Sequence, residues 1–156
     1  FFEGPTKKVR LEATTHHYYQ ETALNVLSQF DPMPHVFFIL RQPAHRIRSS
    51  FLFTKHNRGY IDSGFTFNQY VDVLLNGGLS SLNQYYYSDS SLYIAKRELE
   101  LSKYVLWLQR WEESLDPEHV HPLIFERFAE DSRHALIQVC SLLGVNLSDV
   151  ERSVSS

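Results

Sequence analysis

Apolar and polar residues alternate over Val9-Arg10-Leu11-Glu12-Ala13, the period-two pattern of a short strand. A polar loop, Thr14-Thr15-His16-His17, follows. Ala23, Val26, Leu27 and Phe30 then recur at helical spacing, and Asp31-Pro32-Met33-Pro34 ends that helix. Val36-Phe37-Phe38-Ile39-Leu40 is an unbroken apolar run, as expected of a strand buried on both faces of a parallel sheet. Arg41-Gln42 closes the run. Pro43 suits the first turn of a helix, where its missing N–H costs little. That helix is expected to reach Asn57, with Gly59 just past its end.

Thr66 and Gln69 make a capping-box pattern, flanked by Phe65 and Tyr70 as a hydrophobic staple. The helix they start ends near Asn76-Gly77-Gly78. Residues 79–91 are rich in Ser, Asn and Tyr and read as a mobile loop. A long helix over 92–115 follows, with Leu101, Tyr104, Val105, Leu108, Trp111 and Leu115 as its apolar stripe. His121–Phe125 reads as another buried strand with Pro122 at its start. A last helix, Asp131 to Leu143, would bury Ala135, Leu136, Val139 and Leu143 and close at Gly144. Strands alternating with helices predict an α/β fold, a central and mainly parallel sheet flanked by helices. Ligands in such sheets bind beyond the carboxyl ends of the strands. Arg41 lies at one such end and Glu12 at or near another.

Composition narrows this. The 156 residues fit one domain, spanning 1–156, and 43% hydrophobic residues with 14% aromatics supply a core. A net charge of −3 does not suit a nucleic-acid partner, so an anionic ligand needs a local cluster of positive charge. The single cysteine, Cys140, cannot form an internal disulfide, and no Cys/His spacing resembles a zinc site, which fits a reducing compartment. No apolar run approaches the ~20 residues of a membrane span. The start, Phe1-Phe2-Glu3-Gly4-Pro5, has no initiator Met and no signal-peptide core, so the chain is expected to be part of a longer gene product.

Arg41 follows a strand and precedes a helix N-terminus, where free N–H groups and the helix dipole favour anions. Its guanidinium adds a two-pronged fork for phosphate oxygens. Ser49 offers a hydroxyl two turns along, and Arg46 and Arg48 add charge. By composition alone, a solvated basic helix explains these residues too. Glu12 is a candidate base or an exposed strand-end carboxylate. His16 and His17 are surface-loop residues, or an alternative base, or acceptor contacts. Lys55, His56 and Arg58 either face an anionic acceptor or end a solvated helix.

The register of Phe37-Phe38-Ile39-Leu40-Arg41-Gln42-Pro43-Ala44-His45-Arg46-Ile47-Arg48-Ser49 resembles the 3′-phosphate-binding motif of sulfotransferases that use 3′-phosphoadenosine 5′-phosphosulfate (PAPS). That motif has an apolar strand ending in Arg, then Asn-Pro or Asp-Pro, a second Arg five residues after the first, and a Ser eight after it. Gln42 departs from the usual Asn or Asp. The resemblance implies that Arg41 and Ser49 bind the donor's 3′-phosphate. Leu11-Glu12-Ala13-Thr14-Thr15-His16-His17-Tyr18 resembles, more loosely, the Gly-Glu-Lys-Thr/Ser-Pro-x-Tyr segment of Golgi-type and bacterial members, which implies Glu12 as general base. Ala13 stands for the common Lys and Thr15 for the Pro. Ser102-Lys103-Tyr104 with Trp111, and Leu142-Leu143-Gly144-Val145, resemble structural positions of the same family.

The resemblance implies a P-loop-kinase-like sulfotransferase fold and sulfuryl transfer from PAPS, with 3′,5′-ADP (PAP) released. A carbohydrate or small-molecule hydroxyl would be the acceptor and no metal would be needed. It also implies bacterial cytoplasm as the location, or the Golgi lumen if the full gene carries an anchor. The family's Gly-rich 5′-phosphosulfate loop and its C-terminal loop have no counterpart here, so the domain is expected to be incomplete at both ends. Two other readings stay open: a non-catalytic nucleotide- or anion-binding module of the same fold, and another P-loop-like nucleotide enzyme such as a kinase.

Overall fold

A computed structural model describes residues 11–14 and 17–148. They group into two compact units, one from the residues up to Leu40 together with those from Trp107 onward, the other from Arg41–Leu106.

In the first unit β1 (Val36–Leu40) pairs in parallel with β2 (Val120–Ile124), Val36 opposite Val120 and Leu40 opposite Ile124. A short 3₁₀ turn at His17–Tyr19 leads into α1 (Glu21–Leu27). Leu24, Phe38, Trp111, Leu115 and Val120 form the buried cluster of this unit. The Trp111 indole N–H donates to the Tyr18 carbonyl at 2.9 Å, which satisfies the polar tip of a ring whose body is buried. Phe38 meets that ring edge-on at 5.3 Å. The pattern of β1 implied burial on both faces, yet Ile39 is 53% exposed. Among the described residues the sheet has two strands, and the cluster around Phe38 covers one face.

Other expectations shift here. Of the strand expected over Val9–Ala13, Val9 and Arg10 lie outside the described residues, and Leu11–Ala13 pair with no strand. Leu11 is 74% exposed. Alternation makes a strand only when a neighbour takes its backbone bonds, and none of the described segments does. Phe125, expected in β2, instead opens α6 (Phe125–Glu130). The last helix is α7 (Ser132–Leu142), whose N-cap Asp131 accepts from the His134 N–H at 2.9 Å. Its buried position is Cys140, whereas Leu136 is exposed.

The second unit holds α2 (Pro43–Leu52), α3 (Phe67–Asn76) and α4 (Asp89–Leu101) around a core of Ile47, Phe51, Ile61, Phe65, Tyr70, Leu74, Leu82, Tyr86 and Ala95. The capping box of α3 forms as read: Gln69 N–H donates to Thr66 Oγ1, and Thr66 N–H donates to Gln69 Oε1. Phe65 and Tyr70 pack edge to face at 6.4 Å. Gly77 takes φ 76°, the left-handed turn that a side chain would strain.

The stretch 79–91 is not the loop its composition suggested. It forms a 3₁₀ turn over Leu79–Gln84, with Leu82 fully buried, and α4 starts at Asp89. Tyr86 bridges to Ile61, the Tyr85 ring stacks on Phe65 at 3.9 Å, and the Tyr87 hydroxyl donates to Asp62 at 2.9 Å. Tyrosines here act as large apolar bodies with polar tips. The long helix read over 92–115 is two helices, α4 and α5 (Tyr104–Ser114). They part at Ser102, whose hydroxyl bonds back to the Glu98 carbonyl at 2.6 Å beside its own N–H at 3.1 Å, a pattern that bends helices. Val105, placed on the apolar stripe, is exposed. No helix among the described residues is long and apolar enough to cross a membrane.

Candidate anion-binding site

β1 ends at Leu40, and the next residue is Arg41. Gln42 is the N-cap of α2: its side-chain oxygen accepts from the His45 N–H at 3.1 Å. Its carbonyl accepts the Arg46 N–H at 2.9 Å. Gln42 thus does the capping work that a shorter Asn or Asp side chain commonly does. Pro43 has no N–H and the His45 N–H is taken, so two of the donors that a bare helix N-terminus would offer an anion are already spent. Anion binding at this junction rests on side chains.

Those side chains share one face. Arg41, His45, Arg48, Ser49, Leu52 and His56 line a pocket of about 340 Å³. Phe53 and Asn57 complete it, and among the described residues no carboxylate does. Successive helical residues turn by about 100°, so His45 and Leu52 fall within about 60° of Arg48. On the same count Arg46 and Ser50 fall about 160° away from Arg48. Ile47 and Phe51 are buried in the core of the unit, which fixes the rotation of the helix.

Arg46 therefore does not enter the pocket. It donates to the Glu98 carboxylate, to the Glu98 carbonyl at 3.0 Å and to the Ser102 hydroxyl at 2.8 Å. Glu98 is 1% exposed. Burial pushes its carboxyl above the ordinary range, against the opposing pull of the Arg46 charge and the Ser50 hydroxyl. The middle arginine of the motif is thus a core latch.

After Leu52 the helix continues as a π turn over Phe53–Asn57. The Arg58 N–H bonds to the Phe53 carbonyl at 3.2 Å, five residues back. His56 stays on the pocket. Lys55 points elsewhere and donates to the Ser63 and Phe65 carbonyls at 2.8 and 2.7 Å. Sequence reading named Arg41, Ser49 and His56, and all three meet in this pocket. It passed over His45 as a pocket residue, although its position four before Ser49 put it on the same helical face.

Glu12 and His17 belong to the other unit. They lie together, Glu12 Oε2 at 3.3 Å from His17 Nδ1, with both side chains substantially exposed. Glu12 sits in irregular backbone, not at the end of a strand. His16 lies outside the described residues. Among the described residues no cluster of His, Cys, Asp or Glu could hold a metal ion.

The fold matches the crystal structure of a sulfotransferase from Alicyclobacillus acidocaldarius, with a TM-score of 0.61 and 21% identity. The match covers 84% of this chain and 47% of that one, so this chain spans about half the length of the solved structure. No protein-family model and no curated protein matches the sequence. The likeness establishes a sulfotransferase-like α/β fold.

Proposed function

We propose that the chain carries the 3′-phosphate half of a donor site in a PAPS-dependent sulfotransferase, which passes a sulfuryl group to a hydroxyl of a carbohydrate or small-molecule acceptor. The observation that carries this reading is the pocket itself: Arg41 and Ser49, eight residues apart in the motif, open on one cavity with Arg48 and, among the described residues, no carboxylate. A phosphate monoester holds about −1.5 to −2 charges near pH 7, and guanidiniums with a hydroxyl satisfy its oxygens directionally. The donor set fits the 3′-phosphate of PAPS, and no metal is needed to neutralise it.

Sulfuryl transfer, like phosphoryl transfer, sets attacking and leaving oxygens in line. An alcohol attacks well only as its proton leaves, and a placed base contributes about 10²–10⁴-fold. Glu12 is the proposed base. Its contact with His17 supports a shared role, the imidazole orienting the carboxylate or relaying its proton. His16 and Lys55 are not needed for this reading. His56 is a candidate acceptor contact through its place on the pocket rim. Bacterial cytoplasm is the proposed location.

Calorimetric titration with 3′,5′-ADP tests the donor site. Arg41→Ala should weaken binding by roughly thirtyfold, the worth of a lost charged hydrogen bond. Unchanged affinity would sink the assignment. Glu12→Gln should keep 3′,5′-ADP binding and lose turnover when acceptor and PAPS are supplied; near-normal turnover removes Glu12 as base.

A second reading, a non-catalytic nucleotide- or anion-binding module, is favoured by the pocket's described lining residues all falling within Arg41–Leu106. Binding without turnover across hydroxyl acceptors would select it.

A further inference from the structure

Two arginines, Arg46 and Arg48, lie between Arg41 and Ser49, and the structure sends them in opposite directions. Arg46 is committed to Glu98 and Ser102. Arg48 is exposed, lines the pocket and forms no ion pair with a described residue. Its helical phase puts it between His45 and Leu52 on the pocket face, next in sequence to Ser49. Among the described residues no carboxylate lines that face, and none balances the Arg48 guanidinium there. The Arg48 guanidinium and the Ser49 hydroxyl, on one cavity with Arg41, suit the oxygens of a phosphomonoester.

We propose that Arg48 is a ligand-binding and specificity-determining residue: with Arg41 and Ser49 it clamps a dianionic phosphomonoester, while Arg46 only holds the helix in phase. This rests on the donor-site reading above and extends it to a residue outside the family motif. It explains how a helix N-terminus with its cap donors spent can still bind an anion. It also makes the pocket selective for a nucleotide bearing a terminal 3′-phosphate over one without it.

The test compares 3′,5′-ADP with 5′-AMP, which lacks the 3′-phosphate, by calorimetry on the 156-residue chain. The variants are Arg48→Ala, Arg48→Lys and Arg46→Lys, each checked by circular dichroism and thermal midpoint. The wild-type chain should prefer 3′,5′-ADP. Arg48→Ala should lose roughly tenfold or more of that affinity, with 5′-AMP binding unchanged. Arg48→Lys should fall between, since an ammonium keeps the charge but not the fork. Arg46→Lys should keep the preference while melting earlier. No wild-type preference for 3′,5′-ADP overturns the donor-site reading itself. A wild-type preference that survives intact in Arg48→Ala leaves that reading standing and overturns the role of Arg48. So does a folded Arg46→Lys chain that loses the preference while Arg48→Ala retains it.

Discussion

The two faces of α2 carry the same kinds of group under opposite conditions. Inward, Arg46 and Ser50 meet one buried carboxylate, Glu98, within the protein. Outward, Arg48 and Ser49 open with Arg41 on a cavity that no described carboxylate lines, and Arg48 is offered to a ligand. The difference shows that a basic motif cannot be read as a list of charges. Helical phase, fixed by Ile47 and Phe51 in the core, decides which charges are spent and which are offered.

The largest effect that could break this comparison lies inward. Arg46→Ala strands Glu98 in the core and should cost about 3–5 kcal/mol of unfolding free energy, measured by urea denaturation. Arg48→Ala, on the solvent side, should stay within about 0.5 kcal/mol of wild type. Equal losses would mean the two faces are not distinct. The next effect is in binding: the thirtyfold loss expected for Arg41→Ala should come with little change in stability, the mirror image of Arg46→Ala. Smaller again, Gln42→Ala removes the N-cap bond to His45 and should cost about 1 kcal/mol. Gln42→Asn should recover much of that loss, since Asn is a preferred cap.

The smallest effect separates α2 from the other unit. His35 and His121 share a hydrogen bond at 2.9 Å, and the His119 ring stacks on His35 at 4.8 Å. Burial, then the neighbouring His35 and His119, hold His121 below its ordinary value of 6.5. A histidine whose folded value is lowered contributes stability that is fully present above 6.5 and is lost as pH falls through the lowered value. The thermal midpoint should therefore decline modestly on acidification below 6.5, and His121→Phe, stacked on Phe37 in the same way, should flatten that decline. A flattened decline in Arg46→Lys instead would move the acid-sensitive group to α2.

Much of this was legible in the residues because it is local. Pro43 starts α2, Thr66 and Gln69 cap α3, and Gly59, Gly77 and Gly144 take positive φ where helices end. Arg41 and Ser49 open on one cavity, Arg41 from the end of β1 and Ser49 from two turns along α2. The rest depended on partners far along the chain. Arg46 finds Glu98 52 positions away, so no local pattern could mark it as a latch rather than a ligand. Tyr85, Tyr86 and Tyr87 looked like loop residues until Phe65, Ile61 and Asp62 appeared beside them. The split between α4 and α5 follows from one hydroxyl, Ser102, answering to both Arg46 and Glu98. Of the strand expected over Val9–Ala13, the described Leu11–Ala13 pair with no strand for the same reason: a strand is made by its neighbour.

The π turn at Phe53–Asn57 makes this segment a gauge of chain length rather than of residue type. A turn bonded five residues back accommodates one residue more than a turn bonded four back. Deleting a single position from 53–57 would let the ladder tighten to four-back bonds and keep the residues on either side near their present phase. A one-residue deletion should therefore be absorbed along this stretch, while the same deletion in the four-back part of α2 would turn the residues beyond it by about 100°.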